Sequence, residues 1–495
     1  MPGRLFTIGS ALLLAMLSTS CAADSSASAT SYEITIPADN HRIAIVTASL
    51  TPADREFYMF PGANQLPKRW STFVSDFKVH DENDQIVAVS ARDDGTWQLA
   101  SMPRGRVTVS YRVRLDHEDH AWSGGVDGAA YSREWGVFYT ARSLFVVNGD
   151  ERENITVEFR LPDQWRVTAP WQRSGDDATR FVVPGHDVLA TSMLFAGTHR
   201  EVTIGQGPFE VLLALGGDYV LGQEDVFVDM TTGVLDYYVA LMGDVPRLQS
   251  HDAALKPVVI INQGEMTDGE AIGNNISLLL EPSGDRMSQH IARLIFAHEF
   301  FHLWNGKSFM PGGEDNEWFK EGFTNYYALK ALHHIGYLAD QSYLDLLAGF
   351  FYQKYDRDDA VGRLSMTNGE LKHDHWGLIY AGGMLVAIAQ DLQIRSATRN
   401  ERSLDDLMRY MFDEYRGKPY ELDDIERALG DLNNASQEDF FDRYVRGTEK
   451  MDISRFLALA DIETKEEDGQ TVFRVRQDTD PDTVGIRRGL FGEPH

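Results

Sequence analysis

The chain contains a single cysteine, Cys21, among its 495 residues. With one thiol, no intramolecular disulfide can form, and a zinc site built on several cysteines is excluded. Stability must therefore come from buried apolar surface, and 43% of the residues are hydrophobic. Together with a charged fraction of 24%, this composition is that of an ordinary globular protein and excludes wholesale disorder.

Positive charge is also scarce, because 46 Lys and Arg face 75 Asp and Glu and leave a formal net charge of −29. This balance argues against a nucleic-acid-binding protein, since phosphate would be repelled. It argues equally against a peripheral protein held to anionic lipid by basic patches. We therefore expect no nucleic-acid partner and no membrane contact that depends on charge.

Long apolar runs are confined to the N-terminus, where residues 5–17 follow Arg4. A positive start, an apolar run too short to span a bilayer and small residues after it predict a secretory signal peptide over residues 1–21. A small, polar tether over residues 22–30 follows. No later stretch approaches 18 uninterrupted apolar residues, so we expect no transmembrane helix in the mature protein.

The single cysteine lies at the end of this signal. Its setting resembles a bacterial lipoprotein signal, in which the cysteine is lipidated after cleavage. The alternative is ordinary cleavage after Ala22, with Ser20 and Ala22 as the small residues, which would discard Cys21. Both interpretations predict a protein exported by a bacterium, either periplasmic or anchored to the envelope through a lipid on Cys21.

Hydrophobic periodicity divides the remaining chain into parts and predicts an α+β multidomain fold. Residues 31–200 alternate apolar and polar side chains, which predicts an N-terminal β-sandwich-like domain. Residues 201–345 mix buried strands with helices, and residues 346–462 are helical in pattern. Residues 463–495 form a polar tail.

The most informative stretch is a His-Glu-x-x-His sequence at residues 298–302, inside a helical pattern. Residues four apart on a helix point the same way, so His298 and His302 can reach one metal ion. Glu299 lies about 100° around the helix from His298 and so beside the metal, where a general base for water belongs.

A zinc ion bound by two helical histidines needs a third protein ligand. Glu321 follows His302 by 19 residues, in a second helical pattern at 319–332, and a short loop between antiparallel helices would bring it to the metal. Two His and one Glu form a catalytic rather than a structural zinc set. The metzincin pattern is excluded, because Asn305 and Ser308 stand where it requires Gly and His.

These residues resemble the glycyl aminopeptidase family of gluzincin zinc metallopeptidases. The family's hallmarks are similar to the sequences HEFFHLWNGK at 298–307 and EGFTNYY at 321–327. Weaker similarities flank them at 143–145, 165–167 and 440–449. The resemblance covers roughly residues 31–462, which is most of the chain.

The resemblance implies both a fold and a reaction. Residues 201–345 would form a thermolysin-like catalytic domain that holds one zinc ion, and residues 346–462 a helical domain. Glu299 would be the catalytic base, and Tyr380 would stabilise the oxyanion. The implied reaction is hydrolysis of a peptide substrate, with release of small N-terminal residues such as Gly.

Two features depart from the family pattern. The family carries Gly-Gly-Leu-Glu-His on a strand before the zinc helix, and the equivalent here is Asp268–Ile272. We therefore expect Gly269, Glu270 and Ala271 to bind substrate, with Ala271 at the usual Glu position. Many family members also continue into a PDZ domain of about 80 residues or more. Only 33 residues follow Ile462, so a complete PDZ domain is not expected.

The replacement at Ala271 leaves the mode of cleavage open. A free α-ammonium needs a carboxylate partner, which Glu270, Glu265 or Asp268 could supply. The alternative is an endopeptidase on the same zinc site. A hypothesis from another class is a catalytically idle, envelope-tethered binding protein.

Two further expectations concern the surroundings of the site. Asn325 lies four residues after Glu321, on the same helix face, and could hydrogen-bond a metal-bound histidine; helix packing is the alternative. The acidic composition is compatible with a cleft that receives the cationic N-terminus of a peptide.

Overall fold

A computed structural model of the chain describes residues 30–120, 128–149, 153–206, 209–247, 256–283, 286–476 and 481–493. The predicted signal peptide, Cys21 and nearly all of the tether lie outside these residues. The described residues form a mixed fold of sheets and helices, in which an N-terminal sheet region precedes a largely helical C-terminal region.

Three sheets form the N-terminal region. Their strands are β1 (Ser31–Thr35), β2 (Ile43–Leu50), β3 (Glu56–Met59), β4 (Val74–Asp81), β5 (Ile86–Val87), β6 (Val89–Ala91), β7 (Trp97–Leu99), β8 (Val107–Arg114), β9 (Tyr131–Arg133), β10 (Gly136–Thr140), β11 (Val146–Val147), β12 (Glu153–Arg160), β13 (Arg166–Thr168), β14 (Gln172–Arg173), β15 (Arg180–Gly185) and β16 (Met193–Gly197). Helix α1 (His186–Ala190) follows β15. The strand orders are β14-β15-β12-β1-β2-β8-β4-β5, β13-β16-β10-β9 and β11-β3-β7-β6.

The alternation of apolar and polar residues in this region follows the pleat of the strands. In β2 and β8, every second side chain is buried and the residues between them are more exposed. This is the pattern of a sheet with one face on a core.

A five-stranded sheet follows, made of β17 (Arg200–Gln206), β18 (Phe209–Gly216), β19 (Val258–Gln263), β20 (Asp268–Ile272) and β21 (Asn275–Leu280). Its order is β17-β18-β19-β21-β20, so β20 lies at an edge and pairs antiparallel with β21. The inner strands β18, β19 and β21 run parallel. Parallel strands are covered on both faces, which explains their continuous apolar runs.

Helices form most of the remaining structure. They are α2 (Asp218–Leu221), α3 (Glu224–Met242), α4 (Arg286–Phe301), α5 (Glu317–His334), α6 (Asp340–Leu346), α7 (Gln353–Arg357), α8 (Gly382–Ala397), α9 (Leu404–Glu414), α10 (Leu422–Asn433), α11 (Glu438–Tyr444), α12 (Ser454–Leu457) and α13 (Pro481–Phe491). Short strands β22 (Met310–Pro311) and β23 (Pro419–Tyr420) form a pair, and β24 (Ile462–Glu467) and β25 (Gln470–Val475) form a hairpin.

Two π-helical turns interrupt this regular pattern. Leu347–Tyr352 joins α6 to α7, and Gly377–Ala381 leads directly into α8. The continuous helix Gly377–Ala397 is long and apolar enough to cross a membrane, but 89% of its apolar window is buried inside the protein. Packing in the core therefore accounts for its apolar composition.

The boundary predicted at residue 345 lies in a helical part of the chain. It falls within a continuous helical stretch from α6 through α7, and one hydrophobic core extends from Ile204 to Phe491. The reason is α5, which contacts both α4 and α8 and buries nearly every residue from Glu317 to Leu332. Helix α5 thus lies between α4, which contacts strands β20 and β21, and α8 of the C-terminal region.

The stretch 463–495 differs from the polar tail that we expected. It contains most of the β24–β25 hairpin and helix α13, which contacts α5 and α8. Phe473, Leu490 and Phe491 are buried in the main core. A few well-placed apolar residues anchor this segment, and its overall polarity reflects the solvent-facing sides of the hairpin.

Candidate metal centre and active-site cleft

Helices α4 and α5 bring together His298, His302 and Glu321, the three residues expected to bind metal. The Nε2 atoms of the two histidines lie 3.0 Å apart. Each lies 3.2 Å from Oε2 of Glu321. The side chains are 9%, 12% and 5% exposed, so three potential ligand atoms converge in a nearly buried site.

The spacing of these atoms suits a small tetrahedral ion. Nitrogen and oxygen ligands bound at about 2.0–2.1 Å in tetrahedral geometry lie roughly 3.3 Å from one another. The observed separations of 3.0 and 3.2 Å are close to this value. The donor set of two imidazoles and one carboxylate also suits zinc.

Hydrogen bonds at the far side of each ring orient the two histidines. Nδ1 of His298 donates to Oδ1 of Asn325 at 2.8 Å, and Nδ1 of His302 donates to the Asn305 carbonyl at 2.9 Å. A proton on Nδ1 leaves the lone pair of Nε2 free for a metal. The structure therefore places Asn325 beside His298, where it can fix the ring.

Two lysines hold the second oxygen of Glu321. Oε1 accepts a hydrogen bond from Lys372 Nζ at 3.0 Å, and Lys320 Nζ lies 3.3 Å away. Both lysines also donate to Glu317, one helical turn earlier on α5, at 2.5 Å from Lys372 and 2.7 Å from Lys320. With Oε1 engaged by ammonium groups, Oε2 is left to face the histidines.

This cluster was not identified from the sequence. Glu317 and Lys320 are three residues apart on one helix, a spacing that signals a pair and could have been noticed. Lys372 lies 51 residues from Glu321, and no local pattern links the two.

The charges around Glu321 keep it ionised. Burial raises the pKa of Glu321, but its interactions with His302 and His298 and the positive charge of Lys320 hold it well below its usual range. Burial lowers the pKa of Lys372, yet the carboxylates of Glu321 and Glu317 raise it above its ordinary value. The carboxylate is thus an anion at neutral pH, as a metal ligand must be.

The centre opens into a cleft with a volume of about 1010 Å³. Glu299 and Tyr380, the two residues expected to be catalytic, both line it. The Tyr380 ring lies 6.2 Å from the His298 ring and stacks on Trp376 at 5.2 Å with an interplanar angle of 7°. The phenol is therefore next to the metal centre and is supported by a second aromatic ring.

The edge strand β20 forms part of the cleft wall. Gly269, Glu270 and Ala271, the residues expected to bind substrate, all line the cleft. Oε2 of Glu270 accepts a hydrogen bond from the Gly128 backbone N–H at 2.6 Å. Of the three carboxylates considered for an α-ammonium, Glu270 is the one in the cleft lining, and one of its oxygens is already engaged.

The N-terminal region also contributes to this wall, which the sequence did not indicate. Asn64, Gln65, Trp70 and Arg142 line the cleft. A small apolar cluster holds this region against the five-stranded sheet; its members include Tyr131, Phe138, Phe195, Ala214, Ile260 and Leu279. The cleft is therefore built from both regions of the chain.

Helices α5 and α8 touch through two glycines. A Cβ atom on Gly383 would lie 2.0 Å from the carbonyl oxygen of Trp318, and one on Gly322 would lie 2.2 Å from the backbone of Gly383. Gly322 follows Glu321 directly, and Gly383 lies three residues after Tyr380. The distance between Glu321 and Tyr380 therefore depends on a backbone contact that leaves no room for a methyl group.

Replacement of Gly383 by Ala should destabilise the protein. Overpacking a tight contact costs roughly 1–3 kcal/mol, and here the added atom meets rigid backbone. Chemical denaturation of both proteins measures the loss in unfolding free energy. Gly349→Ala is the matched control, because a Cβ there meets no atom within 4 Å. Equal stability of the two variants would contradict the packing argument.

Family comparisons agree with this geometry. Residues 31–198 match the Peptidase M61 N-terminal domain, and residues 292–382 match the M61 glycyl aminopeptidase domain. The second match contains His298, His302, Glu321 and Tyr380. Among curated proteins, none matches this chain.

A solved structure of an aminopeptidase N family protein from Idiomarina loihiensis is similar to this chain. The TM-score is 0.74 at 19% sequence identity, and the match covers 90% of this chain and 81% of the other. At this identity, the likeness shows a shared fold. The two family matches together cover more than half of the chain and show that it belongs to the M61 glycyl aminopeptidase family and is a peptidase.

Proposed function

We propose that the protein is a zinc-dependent aminopeptidase that releases small N-terminal residues such as Gly from peptides. The observation that carries the proposal is the convergence of His298, His302 and Glu321 within 3.2 Å of one another in the cleft. Membership of the M61 family supports the reaction class. In this proposal the chain from β17 to α5 forms a thermolysin-like domain.

In this proposal one zinc ion is held by His298, His302 and Glu321. Bound zinc supplies a Lewis acid that acidifies water and polarises a peptide carbonyl. Asn325 keeps the His298 ring in the orientation and tautomer that offer Nε2. Lys372 and Lys320 hold Glu321 through Oε1.

Glu299 is the general base in this proposal, and Tyr380 stabilises the oxyanion. Glu299, one residue after His298 on α4, takes a proton from the attacking water and passes it to the leaving amine. Tyr380 donates its hydroxyl hydrogen to the oxyanion that develops from the peptide carbonyl. Stacking on Trp376 holds the phenol in place as charge builds up.

We also propose that the enzyme is located in the bacterial envelope. Residues 1–21 would direct export, and a lipid on Cys21 would tether the enzyme to the bacterial envelope through residues 22–30. The N-terminal sheet region would then lie between the anchor and the catalytic centre.

Peptides with free and acetylated N-termini test the mode of cleavage. An aminopeptidase should release Gly from the free peptide and leave its acetylated twin intact, because the acetyl group removes the ammonium that an exopeptidase recognises. Mass spectrometry of the products, with and without a zinc chelator, identifies the bond that is cut. Cleavage of acetylated peptides at internal bonds would instead support an endopeptidase, the alternative favoured by Ala271 and by the engaged oxygen of Glu270.

A further inference from the structure

The charge of the cleft is opposite in sign to that of the protein. Among the described lining residues, five cationic side chains accompany three carboxylates, whereas the whole chain carries a net charge of −29. The cations are Arg142, Lys307, Lys320, Lys354 and Lys372. This differs from our expectation of a cleft suited to cationic groups, and such a surface attracts anions instead.

Lys354 differs from the lysines that hold Glu321. Its Nζ lies 4.5 Å from the ring centroid of Phe350 and 4.5 Å from that of Trp376. Within the part of the chain that the structure describes, no carboxylate lies within ion-pair distance of it. Partial burial lowers the pKa of Lys354. The faces of the two rings attract the ammonium and hold it in place, while the residue stays exposed to solvent, so its positive charge is accessible to an anion in the cleft.

The backbone fixes Lys354 close to the reaction centre. A Cβ on Gly377 would lie 2.3 Å from the Lys354 carbonyl oxygen, so α7 packs directly against the turn that carries Tyr380. The contacts from Lys354 to Trp376 and from Trp376 to Tyr380 put the ammonium within roughly 10 Å of the phenol, the span of about three extended residues.

We infer that Lys354, supported by Phe350 and Trp376, binds a carboxylate of the peptide substrate within about three residues of the scissile bond. The enzyme then prefers peptides that carry a negative charge near their cleaved end. This inference rests on the proposed function and deepens it, because it names the substrate class. The carboxylate comes from an Asp or Glu side chain or from the C-terminus of a short peptide, and both sources offer the same group.

Matched peptides separate these sources. Amidated tetrapeptides that begin with Gly carry either Asp or Asn at the second, third or fourth position, so that each pair differs only in charge. A tripeptide Gly-Ala-Ala with a free or amidated C-terminus tests the terminal carboxylate. The rate constant kcat/KM is measured for every peptide with the wild-type enzyme and with variants at Lys354.

The wild-type enzyme should cleave the charged member of at least one pair about tenfold faster, as expected for one charge-assisted hydrogen bond. Lys354→Met, which keeps the stem over the rings, should reduce that ratio to near one. Lys354→Arg should retain the preference. Lys78→Gln, at an exposed lysine on β4, is the control and should leave the ratio unchanged.

Two outcomes would overturn the inference alone, and a third would overturn the proposed peptidase function as well. Equal cleavage within every pair by the wild-type enzyme, or an undiminished preference in Lys354→Met, would show that Lys354 does not recognise a carboxylate. The proposed peptidase function would survive either result. Failure of the zinc-loaded wild-type enzyme to cleave any of the peptides would overturn the proposed function itself, and the inference with it.

Discussion

Replacement of Glu299 by Gln should lower peptide hydrolysis by about 10²–10⁴-fold, the usual contribution of a general base. Glutamine has the shape of glutamate but cannot accept the proton of the attacking water. Because Glu299 lies beside the histidines rather than between them, the metal should remain. Steady-state kinetics with a Gly-terminated peptide, and zinc content by elemental analysis, measure the two effects separately.

A matched control separates the loss of the general base from the effect of removing a negative charge elsewhere on the protein. Glu438 is an exposed carboxylate at the start of α11, and Glu438→Gln should hydrolyse peptides at the wild-type rate. Retention of both zinc and full turnover in Glu299→Gln would rule out the proposed role of Glu299. Loss of zinc in that variant would instead make Glu299 part of the metal site.

Replacement of Glu321 by Gln should remove the metal and, with it, the activity. Substitutions of residues that only orient metal ligands lower affinity by about 10–100-fold, so loss of an anionic ligand should exceed about 100-fold. Competition with a chromogenic chelator measures the affinity without reference to catalysis. A variant that binds zinc as tightly as the wild type would contradict the assignment of Glu321 as a ligand.

Glu317→Gln is the control for this experiment. Glu317 lies one turn before Glu321 on the same helix, is also buried and binds the same two lysines. The Glu317→Gln substitution removes one negative charge from the same cluster, but the Glu317 side chain does not face the histidines. Its zinc affinity should therefore fall far less than that of Glu321→Gln.

The parts of the site that could be predicted from the sequence are those that local geometry determines. His298 and His302 share one face because a helix repeats every 3.6 residues, and the family pattern around Glu321 suggested the third ligand. Alternating burial likewise made strands such as β2 and β8 recognisable.

The remaining features depend on contacts between distant segments. Lys372 reaches Glu321 across 51 residues, and Gly128 reaches Glu270 across 142. Such pairs form only after the N-terminal region and the helices have packed. The single core from Ile204 to Phe491 could not be predicted for a similar reason, because nothing in the composition of α5 reveals that this helix contacts both α4 and α8.

The positions of the aromatic side chains in the cleft wall depend on the number of residues in the two π-helical turns. Phe350 lies in one turn and Tyr380 in the other, and Trp376 immediately precedes the second. A π-helical turn accommodates one residue more than an α-helical turn. Removing one residue from Gly377–Ala381 would restore a regular helix in which the flanking helical residues keep their faces, whereas the side chains of the turn itself would change direction. Every catalytic side chain could remain in the sequence while the phenol turned away from the metal. A one-residue deletion in this segment is thus expected to reduce activity although all three residues expected to bind the metal remain.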